Sequence, residues 1–81
     1  MNKEEMLENF YGTIAYYMSC AVKDETIKRE YQLKAVGAIN AMNRVNLIGY
    51  KTFQFMTRLV WEDPKILFRY ANERCGGWYE L

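Results

Sequence analysis

The 81-residue chain contains no histidine. The side chain most used for acid–base catalysis near neutral pH is therefore missing, and with it the zinc sites built from cysteine and histidine. The only cysteines, Cys20 and Cys75, are too far apart for a CxxC redox pair and too few for a disulfide framework. They read as idle thiols of a reduced, cytoplasmic chain. With one proline and five glycines there is no Pro-rich or Gly/Ser-rich linker, so residues 1–81 are expected to form one helical domain. No stretch approaches the roughly 18 apolar residues of a membrane span. The opening MNKEEMLENF places acids where a secretion signal needs a basic and then an apolar run, so no membrane association is expected.

Acid is absent from the middle of the chain. Residues 1–30 hold four bases and six acids, residues 31–61 four bases and no acid, and residues 62–81 three bases and four acids. The net charge of +1 thus conceals a segment of +4 between mildly acidic ends.

Apolar residues and aromatic rings are plentiful. At 51% hydrophobic and 26% charged side chains, the composition is that of a globular chain. Area scaling for its mass gives roughly 5,000 Å² of folded surface, enough for one modest core. Seven tyrosines, four phenylalanines and two tryptophans are more than such a core absorbs, so some rings are expected at the surface.

The apolar spacing predicts an all-α chain, a small bundle of three to four helices opening with an antiparallel hairpin. Asn2 and Glu5 have the spacing of a capping box, and Leu7, Tyr11, Ile14, Met18 and Ala21 form a stripe along a first helix, about 3–22. Asp24 or Thr26 is placed to cap a second, about 25–47, with a stripe from Ile27 through Ile39 and Met42 to Val45. Ala35, Gly37, Ala38 and Ala41 are read as the point where the hairpin crosses closely. Residues 46–61 have mixed periodicity. Gly49 and the spacing of Tyr50, Phe53 and Phe55 partly suit a strand, whereas Tyr50, Phe53, Met56 and Val60 suit a helix, and a helix over 50–61 is preferred. Asp63–Pro64 marks the start of a last helix, about 64–75, and Gly76–Gly77 its end. The aromatic tail, residues 76–81, either folds back on the core or meets a partner.

No motif for catalysis, cofactor or metal survives inspection. Glu4 and Glu8 lie one turn apart, but acids in a first turn complement the helix dipole, and no second pair completes a metal site. Cys75 stands at a helix C-terminus, where the partial negative charge disfavours a thiolate. Gly76–Gly77 follows a helix, whereas a phosphate-binding loop precedes one.

Two features point to binding. Asn40, Asn43 and Arg44 share one helix face within the acid-free segment, which also carries Asn46, Tyr50, Lys51 and Arg58. Asparagine is a poor helix former, so the recurrence suggests a polar, positive strip facing an anion or an acidic protein surface. Tyr16, off the first helix's stripe, and Trp78 and Tyr79 in the tail are the rings expected to face outward. These features lead to the expectation of a non-catalytic cytoplasmic binding protein. It would self-associate and contact a protein partner, in the manner of small bacterial or phage inhibitors and adaptors. The alternative is a nucleotide or nucleic-acid binding module using segment 31–61, with Tyr50 or Phe53 for stacking.

Overall fold

The computed structural model describes residues 1–81 and is all-α, with four helices and no strand. Helix α1 spans Lys3–Lys23, α2 Lys28–Arg44, α3 Tyr50–Glu62 and α4 Pro64–Arg74. The radius of gyration is 11.6 Å, close to the roughly 11.7 Å expected of a compact chain this long. The accessible surface of 5052 Å² matches the expectation from mass. Helix α1 packs extensively against both α2 and α4, while α3 closes the ring between α2 and α4 through a smaller contact. No helix is long and apolar enough to cross a membrane.

Local chemistry accounts for most helix ends. Asn2 caps α1 by accepting from the Glu5 N–H at 2.8 Å. The Glu5 carboxylate takes the Asn2 side-chain amide at 3.0 Å, rather than the backbone N–H that a full capping box would use. Asp63 caps α4 by accepting from the Ile66 N–H at 3.3 Å, with Pro64 at the first helical position. Helices α2 and α4 end alike. In α2 the Leu47 N–H reaches the Met42 carbonyl at 2.9 Å and Asn46 takes φ +60°. In α4 the Gly77 N–H reaches the Asn72 carbonyl at 2.7 Å and Gly76 takes φ +95°. Both are Schellman endings, which need a left-handed residue just past the helix.

The second helix is shorter than the spacing predicts. It starts at Lys28 rather than near 25, because Asp24 folds its carboxylate onto the Thr26 N–H at 2.9 Å and the Thr26 hydroxyl at 2.7 Å. That local turn competes with the helix for the same donors, and Ile27, with no capping side chain, becomes the boundary residue. The two bonds, the hydroxyl's first, hold the Asp24 carboxyl below its usual range. At the other end Asn46 stops the helix, so Val45 leaves the stripe and is exposed. Gly37 is not at a crossing either: it is exposed and a β-carbon there would meet open space.

Between the helices lie Ile14 and Met18 of α1, Ile39 and Met42 of α2, Met56 and Val60 of α3, and Leu67 of α4, all fully buried. Three of these seven are methionines. Unbranched thioether chains fill the irregular gap left where a 13-residue helix closes a bundle built on one of 21. One polar tie joins α3 to α2: the buried Gln32 amide donates to the Val60 carbonyl at 2.9 Å. Val60 is in the last turn of α3, where carbonyls lack helical partners, so this bond satisfies a group that would otherwise be buried unpaired.

Candidate functional site

The tail folds back on the core. Gly76 and Gly77, both at positive φ, turn the chain over α4, and the Trp78 ring comes to rest on Gly12 of α1. A β-carbon on Gly12 would lie 2.7 Å from Trp78 Cε3 and closer still to Cζ3, so only glycine admits the ring. Asn72 then clamps the next residue twice, its amide donating to the Tyr79 carbonyl at 2.8 Å and its oxygen accepting from the Tyr79 N–H at 3.0 Å. Trp78 is 51% exposed because only one face is docked. Tyr79 lies against Tyr16, centroids 6.0 Å apart, and Tyr16 meets Tyr31 edge-on at 6.2 Å. Tyr16 is 44% exposed, as expected of an outward ring, while one side of it packs against Tyr79 and Tyr31 and its neighbours Gly12 and Ser19 on the same face are buried. The Cys20 thiol one turn on, and then Tyr31, push the Tyr16 hydroxyl up to about 12.

Helix α3 shows the opposite arrangement. Met56, Leu59 and Val60 face the core, and Phe53 is half-buried beside them. Tyr50, placed on that stripe by its spacing, instead points outward and is 67% exposed. The outward face carries an open furrow of about 710 Å³ lined by side chains of α3 alone, among them Tyr50, Lys51, Gln54, Arg58 and Trp61. Gln54 donates to the Tyr50 hydroxyl at 2.9 Å, and Tyr50 stacks on Phe53 with centroids 6.3 Å apart. Trp61, 43% exposed, has the Arg29 guanidinium 5.8 Å from its ring centroid. Phe55 meets Tyr70 of α4 edge-on at 5.1 Å. Thr57 Oγ1, at the edge of the furrow, is buried without a hydrogen-bond partner.

The positive strip is thus divided. Tyr50, Lys51 and Arg58 come together on α3, but Asn40, Asn43 and Arg44 stay on α2 and line no groove. Asn40 and Asn43 are half-buried and make no side-chain hydrogen bond, while Arg44 is exposed. Asn46 belongs to the helix ending, which accounts for its residue type without any ligand. The acid-free segment is also less positive in space than in sequence. Glu30 and Glu62, the acids just outside it, reach back one turn to Lys34 at 3.9 Å and to Arg58 at 3.3 Å. Arg44 and Lys51 form no ion pair.

A second open groove, about 580 Å³, lies among the start of α1, the α2–α3 connection and the end of α4. Glu4 and Glu8 stand on its rim, exposed and in no ion pair. Arg74 lies 3.4 Å from the Tyr70 ring centroid and donates to the Tyr70 carbonyl at 3.0 Å. Burial, reinforced by Tyr70 alongside, pushes the Tyr11 hydroxyl up to about 12.

Trp61, Gln54 and Gln32 are not among the candidate binding residues read from the sequence. Positions 50, 54, 58 and 61 fall on one helical face, so the first two were readable once the helical period was taken as decisive there. Gln32 gave no such signal, since its role depends on a carbonyl 28 residues away.

The chain matches no protein-family model, no curated protein and no solved structure.

Proposed function

We propose that this protein is a non-catalytic binding module that acts by protein–protein contact through the outward face of α3. The observation that carries this reading is the grouping of Tyr50 and Trp61 with Lys51 and Arg58 on the helix least covered by the rest of the bundle. Tyrosine, tryptophan and arginine are the residues that dominate protein-binding hot spots. Small cytoplasmic inhibitors and adaptors work in this way, by occupying another surface rather than by chemistry. The nucleotide or nucleic-acid reading has less support, because Arg44 stands apart from Lys51 and Arg58 on another helix and Glu62 lies against Arg58.

The test compares the wild-type chain with a Tyr50→Ala/Trp61→Ala variant as immobilised bait in native-host lysate, with quantitative mass spectrometry. Circular dichroism confirms that both are folded. At least one protein should be retained by the wild type and reduced tenfold or more on the variant. Identical protein profiles would overturn the reading. So would a panel of nucleotides and single-stranded oligonucleotides that raises the melting temperature of the wild type but not of an Arg44→Ala variant.

A further inference from the structure

We infer that the outward face of α3 pairs with the same face of a second copy of this chain, the two helices lying antiparallel about a two-fold axis level with Met56. This rests on the reading of α3 as the docking surface and supplies its occupant.

Four observations carry it. First, the face is nearly palindromic in its chemistry. Its exposed residues, read from the N-terminus, are Tyr50, Lys51, Gln54, Phe55, Arg58, Trp61 and Glu62, and all but Phe55, which packs on Tyr70, fall into pairs. The midpoints of the pairs 50/61, 54/58 and 51/62 fall within one residue of each other, about 1.5 Å along the helix axis. A single two-fold axis therefore sets Tyr50 beside the second copy's Trp61, Gln54 beside its Arg58 and Lys51 beside its Glu62. An interface in which residue i meets j while j meets i is what a symmetric dimer requires.

Second, the charges on the face have both signs. Lys51 has no acidic partner in its own chain, and Glu62 is held only by Arg58, at 3.3 Å. A uniformly acidic partner would meet Glu62 as a like charge, whereas a second copy offers Glu62 to Lys51 and Lys51 to Glu62. Third, the two most exposed rings of the helix, Tyr50 and Trp61, stand at its two ends with polar Gln54 and Arg58 between them, so ring meets ring and polar meets polar. Fourth, the apolar surface extends beyond α3. Leu33, one turn on from Arg29 along the same face of α2, is 52% exposed, and Arg29 itself reaches the Trp61 ring.

Because α3 has only 13 residues, the shared surface falls at the small end of specific interfaces, and the dimer should be weak, with a Kd on the order of 10–100 µM.

Sedimentation equilibrium of the full chain from about 10 µM to 1 mM, in low and moderate salt, tests this on the wild type, Lys51→Glu, Glu62→Lys and the double exchange. The wild type should dimerise. Each single exchange, acting twice through the symmetry, should weaken the dimer roughly tenfold, and the double exchange should return it to within about threefold of wild type. Circular dichroism checks the fold of each, and Trp61→Ala gives a second, uncharged disruption. A wild type that stays monomeric at 1 mM, single exchanges without effect, or a double exchange that fails to recover would each overturn the pairing. If the chain is monomeric yet still retains another protein in a manner that depends on Tyr50 and Trp61, self-pairing falls while the binding reading stands. If neither is seen, both fall.

Discussion

Trp78 and Trp61 are almost equally exposed, yet they occupy different kinds of place. Trp78 rests on a glycine that admits nothing larger, and the residue after it is held by two hydrogen bonds from Asn72. Trp61 stands on the outside of α3, 43% exposed, with only the Arg29 guanidinium over its ring, 5.8 Å from the centroid. The difference shows that the exposed area of a ring says little about its role. What separates the two is whether the backbone around the ring is anchored and whether the surface beneath is shaped for it. By that measure the tail's rings belong to the fold, whereas Tyr50 and Trp61 of α3 occupy no such seat.

The comparison is most severely tested at Gly12. Gly12→Val places carbon inside the Trp78 ring and should expel the tail, lowering stability by about 2–3 kcal/mol, read as a fall of ten degrees or more in the melting temperature. A variant that melts like the wild type would show that the tail contributes nothing to the fold. On the other side of the comparison, Gln32→Leu leaves the Val60 carbonyl buried without a donor and loosens the end of α3 that carries Trp61. The expected cost is about 2 kcal/mol, with the fastest-exchanging new amides in α3 rather than in α1. Gly37→Ala touches neither region. With open space around its β-carbon and an ordinary helical φ it should stabilise the chain by about 1 kcal/mol, whereas a close crossing at Gly37 would make it destabilising.

The parts of the fold set by local chemistry were legible in the sequence. The Asn2 cap, the Asp63–Pro64 start and the Gly76–Gly77 stop depend on neighbours within a few residues, and each forms as its residues predict. The start of α2 was misread because Asp24, a good cap in isolation, has a closer donor pair in Thr26. Gly37 and Gly12 show the same limit from the other side. Both are helical glycines, and nothing local distinguishes the idle one from the one that receives a tryptophan 66 positions later. In the candidate site, Tyr50, Lys51 and Arg58 were legible because one helical period unites them. The three asparagines read as one strip part company in space: Asn46 lies past α2 and serves its ending, and Asn40 and Asn43 line no groove. The paired states of Lys34 and Arg58 were hidden by dividing the charges at residues 31 and 61, between each base and the acid that answers it.

The most direct test of the contrast between the two tryptophans uses two single-tryptophan proteins, Trp61→Phe and Trp78→Phe, whose emission and acrylamide quenching are followed from 1 µM to 1 mM. The remaining Trp61 should shift to the blue and become protected as concentration rises, while the remaining Trp78 keeps one spectrum and one accessibility throughout. A Trp61 signal that ignores concentration, or a Trp78 signal that follows it, would contradict the account.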